Sequence, residues 1–572
     1  MSCLKTFGLT VVAVLACAEA ASGASLGAGL VEAARADDRA GVTALLDRGA
    51  DPDAREADGS TALSWAAIRG NAEITSRLLE AGADPNLPNA LGVSPLSIAI
   101  ENGATGVTQL LVRHGADPNA ARESGETPLM TAARLGQFRL MEDLIDRGAD
   151  VNARERKFGQ NALMWAAGTP AAVRLLIDRG ADVGATTKTW DVRYTIYAPN
   201  TFTLGKTGIP WNTDGEYVSK RGGQNALFFS IRKRDLESAR MLLEAGIDVN
   251  QPAADGTTPL LASLYNWVPI GADFQPGRGA PAPAGSSQRF GPDWEIATLL
   301  LDRGAAVTVR DAAGYTPLHA AALAVAWAGG SKDETEKGVY RHLAALLSLK
   351  RAPKGASRFG PDDWLKIVTR LLVGGADPNT QTVYTTPGPS GDVRINPAPP
   401  GSTALHIAAD SRNVDLVRTL LEAGADTNLV RKDGHTPFSV AVVARDMPIL
   451  EAMVKGGADL LARYDLDDRF PDPVEAISLS RQGQTITHVA AGNRFSGVVE
   501  YLASQGAPLD WKNEQGETPL DLADHQERFQ EALFRQGAEG DPKKLQAVVR
   551  PTDTTDVIKR LLAARMSAPG KP

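Results

Sequence analysis

The sequence predicts an all-α solenoid of about 11 to 12 stacked helix-turn-helix repeats, linked by β-turn fingers and broken by several loop insertions. Three observations predict it. A helix-opening phrase returns as STAL, VSPL, ETPL, QNAL, QNAL, TTPL, YTPL, STAL, HTPF, QTIT and ETPL. Its second residues, from Thr61 and Ser94 to Thr485 and Thr518, are spaced by 33, 33, 34, 64, 33, 58, 87, 33, 49 and 33, one repeat length with insertions. A second phrase, Gly-Ala-Asp or a near copy, follows each helix pair, with glycines at 49, 82, 115, 148, 180, 246, 304, 375, 424, 457 and 506. Finally, one such repeat cannot bury its own apolar face, so it must stack on neighbours.

Residues 58–89 show the elements in order. Asp58-Gly59 supplies a turn, Thr61 is a favourable N-cap, and several copies place Pro at the first helical position, where a missing N–H costs nothing. The first helix is short, and its paired alanines, Ala66 and Ala67, let a neighbour approach closely. Leu78 and Leu79 belong to a second helix with its own apolar stripe, ended by Gly82 in a left-handed C′ position. The first repeat lacks the Thr-Pro-Leu phrase and carries Glu32, Arg35, Asp37, Asp38 and Arg39, as a polar end cap should. Residues 556–566 read as an amphipathic helix in a tail, 537–572, able to fold back as a lid.

TPLHAAA (316–322), TALHIAA (403–409) and LLEAGADPN (78–86) resemble ankyrin repeats, and the resemblance extends over about 27–536. The helix-capping histidine of that family is matched at His319, His406 and His488. Elsewhere the slot holds Ser64, Ser97, Met130, Met164, Phe228, Leu261, Ser439 or Asp521, which puts hydrogen bonding between repeats in question there. The resemblance implies binding of another protein, with contacts from finger tips, the first-helix surface and adjoining loops. Candidate tips are Leu91, Ser124, Phe158, Arg221, Asp255, Tyr315 and His435.

Five insertions are expected. Those near 188–220, 383–400 and 465–480 lie in finger loops, and those near 267–292 and 328–361 lie between the two helices of one repeat. The first is rich in Thr, Tyr, Phe and Trp and reads as a β-hairpin. The two internal ones close with the same phrase, RFGPDW at 289–294 and RFGPDDW at 358–364. Gly-Pro ends each loop, and Asp293 or Asp362 is placed to cap the second helix. The flanking tryptophans, Trp267 with Trp294 and Trp327 with Trp364, read either as staples across the loop base or as an aromatic recognition site.

Residues 1–20 combine Lys5, an apolar run from Phe7 to about Ala18 and small residues at Ala18 and Ala20, the pattern of an export signal too short to span a membrane. Val-Leu-Ala before Cys17 also resembles a bacterial lipobox, which would leave a mature chain starting at an acylated Cys17. Both cysteines, Cys3 and Cys17, lie in this segment, so disulfides are not expected after ordinary cleavage. The expectation is an exported, periplasmic or outer-membrane-associated or secreted monomer.

With 60 Lys and Arg against 68 Asp and Glu the chain is acidic, so no global charge favours nucleic acid. No phosphate loop, dinucleotide fingerprint, HExxH or CxxC pattern occurs, and neither cofactor, metal nor catalytic residue is expected. The acidic stretch 465–472 lacks the order of a calcium loop. Trp65 and Trp165, one residue beyond the histidine slot, are expected in the core. Arginines recur where first helices end, at 69, 134, 232, 234, 412, 445 and 494, and read as a basic ribbon or as a solvated edge, the second favoured by the net charge. The resulting reading is a non-catalytic protein-interaction scaffold, with an enzymatic or carbohydrate-binding activity in the aromatic insertions, or a secreted effector, as alternatives.

Overall fold

The computed structural model describes residues 26–195, 216–265, 292–312, 314–329, 360–383, 401–431, 434–464, 483–525 and 553–567. The described chain is predominantly helical. It divides into two compact modules, an N-terminal one of Met1–Trp190 with Gly222–Ala254 and a C-terminal one of Asp191–Arg221 with Asp255–Pro572.

In the N-terminal module a helix over 26–35 and the helix Arg39–Asp47 open the stack. Helix pairs follow, Ala62–Arg69 with Ala72–Glu80, Pro95–Glu101 with Thr105–Arg113, Pro128–Arg134 with Phe138–Asp146, Ala162–Trp165 with Pro170–Asp178, and Ala226–Lys233 with Leu236–Glu244. The helix-opening phrase, in its variants, starts the first helix of each of these pairs as expected. Thr61, Ser94, Thr127 and Asn161 each accept a hydrogen bond from the backbone N–H three residues on. Such a cap contributes about 1 kcal/mol. Leu63, Ala66, Ala67, Leu78, Leu96, Leu111, Leu129, Met141 and Leu144 fill the core between helices. Gly82 (φ +92°) and its counterparts end the second helices in the left-handed region.

The C-terminal module repeats the plan, from Pro259–Tyr265 with Trp294–Asp302 to Ile486–Gly492 with Ser496–Ser504. Its longest pair, Pro317–Gly329 and Pro361–Val373, packs through Ala320, Ala321, Ala324, Ile367, Val368 and Leu371. Helix Asp553–Ser567 lies against Ser496–Ser504, burying Val557 and Ile558 and pairing Arg560 with Glu500 at 2.8 Å.

Two small sheets accompany the helices. Strands β1 (Thr189–Thr195) and β2 (Glu216–Gly222) pair within the aromatic 188–220 segment. Strands β3 (Arg463–Tyr464) and β4 (Gln484–Thr485) run antiparallel, Arg463 opposite Thr485. The acidic stretch 465–472, Trp267 and Cys17 lie outside the described residues.

Candidate protein-binding surface

Each finger is a tight turn made by a left-handed glycine, and successive fingers are joined by backbone. At Gly59 (φ +76°) an added Cβ would sit 2.9 Å from the Ala90 N, so only glycine lets the two turns come together. Ala90 N–H donates to Asp58 O (2.8 Å), Arg156 to Ser124 (2.8 Å), Lys188 to Phe158 (2.7 Å) and, in the C-terminal module, Ala312 to Asp255 (3.0 Å).

A second ladder runs through asparagines that the sequence reading overlooked. Asn86 Nδ2 donates to Gly115 O (3.1 Å) while its Oδ1 accepts from Asp117 N–H (2.6 Å). Asn119 does the same to Gly148 and Asp150, and Asn152 to Gly180 and Asp182. In the C-terminal module Asn379 bridges to Gly424 and Asp426, and Asn428 to Gly457 and Asp459. The signal was present: these asparagines stand four residues after the glycine of the Gly-Ala-Asp phrase. An amide is the side chain that can donate to one strand of backbone and accept from it at once.

The three histidines form a third link. In each, Nδ1 accepts from the backbone N–H of the capping threonine, Thr316, Thr403 or Thr485, which leaves Nε2 protonated. Nε2 then donates to the next repeat, to Ser402 O (3.2 Å), His435 O (3.2 Å) and Glu517 O (3.0 Å). Burial resists a charged imidazole and pushes the His319 pKa down to about 4, with His406 well below the ordinary value and His488 lowered as well. At other copies the slot is filled differently: Ser439 Oγ and the Asp521 carboxylate accept the same N–H.

With stacking carried by backbone, asparagines and histidines, the tips are free to vary. Leu91 is 74% exposed, Ser124 is exposed, and Phe158, Arg221 and Asp255 are half-buried. These five precede their finger glycine. Tyr315 and His435 instead follow Gly314 and Gly434, where the chain has already turned inward. Tyr315 is therefore a core residue, 4% exposed and edge-on to His319 at 5.6 Å, which corrects its assignment as a tip. His435 is half-buried with Nδ1 3.1 Å from Ser439 Oγ and its carbonyl holding His406, so it too serves the stack.

Of the insertion tryptophans, the side chains of Trp294 and Trp364 are described. Trp294 Nε1 reaches into the next repeat and donates to Asp363 O at 2.9 Å. The ends of the twin phrases, Trp294 and Asp363, are thereby joined across two repeats. Trp364 is fully buried and leaves the list of surface candidates; Trp327 lies in the helix Pro317–Gly329. Asp293 caps its helix by accepting from Ile296 N–H (3.0 Å), but Asp362 does not cap. The helix there starts at Pro361, and Asp363 accepts from Gly360 N–H (3.1 Å), because the extra Asp adds room for a proline-led turn.

Trp65 and Trp165 are not core residues. With Ile98 and Phe229 they form a half-exposed set at one position of four first helices in the N-terminal module, interrupted by buried Thr131 in Pro128–Arg134. Arg35 lies 4.7 Å above the Trp65 ring, Arg134 5.7 Å above Trp165 and Arg232 4.2 Å above Phe229. Trp65 Nε1 donates to Glu56 Oε2 (3.0 Å). The arginines form no free ribbon. Arg134 lies near Glu101 and Glu126, Arg69 donates to Arg35 O, and Arg232 donates to Gln224, its pKa lowered to about 10 by burial. Arg234, Arg412, Arg445 and Arg494 occupy left-handed turn positions (φ +54° to +60°) that Gly70, Gly103 and Gly136 fill in earlier repeats.

Among the described residues no helix is long and apolar enough to cross a membrane, and no group of three or more His, Cys, Asp or Glu side chains could hold a metal ion.

Comparison with known proteins agrees with the geometry. The family model for ankyrin repeats matches three times, over residues 30–122, 107–187 and 356–464. The chain is 38% identical over 141 residues to neurogenic locus notch homolog protein 1 of Homo sapiens, covering 22% of this chain and 6% of that protein. It is 24% identical over 270 residues to the E3 ubiquitin-protein ligase KEG of Arabidopsis thaliana, covering 43% and 15%. With a transient receptor potential cation channel subfamily A member 1 homolog of Caenorhabditis elegans it shares 28% over 123 residues, 22% and 9%. The chain therefore spans only 6% to 15% of the length of these relatives, all matched through a limited stretch. The helix pairs, left-handed glycines, finger ladder and matched segments together make this chain a member of the ankyrin-repeat family, whose arrays are protein-interaction scaffolds.

Proposed function

We propose that the chain is an exported scaffold that binds another protein through its fingers and first-helix faces, without chemistry of its own. One observation carries the reading. In the N-terminal module Trp65, Ile98, Trp165 and Phe229 repeat a large half-exposed side chain at one position of four first helices, with the small, buried Thr131 at that position of Pro128–Arg134. Large aromatic residues left partly open on a rigid surface are favoured anchors for a partner. Export rests on the Lys5, apolar-run and small-residue order of 1–20, with Cys17 as the acylated residue if the lipobox is used.

The test is capture in the native host. The full-length gene, tagged at its C-terminus, is expressed, intact cells are crosslinked, and the co-purifying proteins and the mature N-terminus are identified by mass spectrometry. One dominant partner, lost on Trp65→Ala with Trp165→Ala, is the expected result. Capture unchanged by those substitutions, or an unprocessed Met1, contradicts the reading in its binding or export part respectively.

A further inference from the structure

Within the N-terminal module, the fingers at 153–160 and 185–190 form one rigid patch. Lys188 N–H is bonded to Phe158 O and Arg156 N–H to Ser124 O, so neither finger moves alone. Phe158 and Trp190 meet at 5.3 Å between ring centroids, tilted by 49°, with Trp190 37% exposed. Lys157 Nζ lies 4.8 Å over the Phe158 ring. Arg154, Arg156, Lys157 and Lys188 are all exposed around this pair.

Among the described residues none of these four cations has a carboxylate partner, a state they share with Arg55 and Arg69, which donate to backbone carbonyls, but not with five other arginines of the module. Arg35, Arg77, Arg122, Arg134 and Arg179 each have a carboxylate partner. Arg154 and Lys188 instead donate to the backbone carbonyls of Thr186 (2.6 Å) and Arg156 (2.7 Å), which leaves their charge uncompensated. The carboxylate within the two fingers, Glu155, is buried and consumed by the N–H groups of Lys157, Phe158 and Gln160. Preceding fingers carry the opposite sign, with Glu56 and Asp58 on one and Glu123 and Glu126 on another.

We infer that this patch, Phe158 and Trp190 ringed by Arg154, Arg156, Lys157 and Lys188, receives a short acidic segment of the partner protein bearing an aromatic or apolar side chain. This rests on the scaffold reading above. Carboxylates would meet cations that lack partners, and an apolar side chain would cover the exposed rings. A long polyanion is disfavoured because, tracking along the fingers, it would run into Glu123, Asp58 and Glu56.

The test uses the full chain and fluorescence anisotropy with a labelled twelve-residue peptide of Glu and Asp around one central Trp. Saturable binding is expected, weakened at least tenfold by Arg156→Glu with Lys157→Glu. The control Arg48→Glu with Arg113→Glu carries the same charge change on exposed second-helix positions and should alter affinity less than twofold, with far-UV circular dichroism unchanged in both. Replacing the central Trp of the peptide by Gly should weaken binding to wild type and lose its effect in Trp190→Ala. Equal loss in both charge variants, no saturable binding, or tighter binding of a single-stranded oligonucleotide or of phosphatidylglycerol vesicles overturns the inference. If the host partner is still captured while the peptide fails, only the acidic-segment assignment falls; if capture also fails, the scaffold reading falls with it.

Discussion

The two modules are built from one repeat, yet they join their repeats differently. In the N-terminal module the slot after the cap holds Ser64, Ser97, Met130, Met164 and Phe228, and cohesion comes from finger backbone and the asparagines at 86, 119 and 152. In the C-terminal module three buried imidazoles add a bond from one repeat to the next. The lesson is that a degenerate slot costs a repeat array little where other ladders persist. The module with histidines gains links but also acquires a sensitivity to acid.

The largest expected break is in the C-terminal module. Trp364→Ala empties a fully buried site and should cost about 3–5 kcal/mol. Hydrogen exchange should rise over Pro317–Gly329 and Pro361–Val373 and stay at wild-type values over Ala62–Glu80.

Acid comes next. An unfolded imidazole binds a proton near pH 6.5, while buried His319 resists one until about pH 4. Its stabilisation is therefore complete above about pH 6.5 and is lost as pH falls towards about 4, roughly 3 kcal/mol for that residue. Around it Arg310 opposes protonation, Asp377 favours it, and the Ser402 carbonyl accepts from Nε2. Exposed carboxylates with lowered pKa, Asp58 and Glu101 in one module and Asp363 and Asp521 in the other, respond in both and do not separate them. Exchange measured from pH 7 to 4 should thus show the C-terminal module losing protection first. Simultaneous loss would remove the histidines from the account.

Two smaller substitutions sharpen the contrast. Asn119→Ala removes both halves of one bridge and should destabilise the N-terminal module by about 1–3 kcal/mol, with exchange rising at the Asp150 amide that donates to it. Trp294→Phe leaves the Asp363 carbonyl without its indole donor and should cost about 1 kcal/mol, confined to the C-terminal module. Urea melts followed by exchange locate each loss.

The sequence carried the periodic features well, because caps and helix ends are set by residues close in the chain. Thr61 caps and Gly82 ends a helix through bonds made within a few residues. What failed depended on direction. Tyr315 and His435 were placed at tips because spacing does not report on which side of a left-handed glycine the chain turns in. Trp65 and Trp165 were placed in the core because an apolar residue at a repeat position looks the same whether it faces the stack or solvent. The partner of Trp294 lies 69 residues away, at Asp363, beyond any local pattern. The asparagine ladder was legible and overlooked, since its donors and acceptors recur at a constant offset from Gly82, Gly115 and Gly148.

The most direct measurement is hydrogen exchange of the full chain at neutral pH with and without the partner captured from its host. Protection gained at the fingers and first helices of the N-terminal module, over 56–69, 91–101 and 154–165, is what a scaffold binding through that face requires. Protection gained instead on second helices such as Ala72–Glu80 and Thr105–Arg113, with the fingers unchanged, would contradict it.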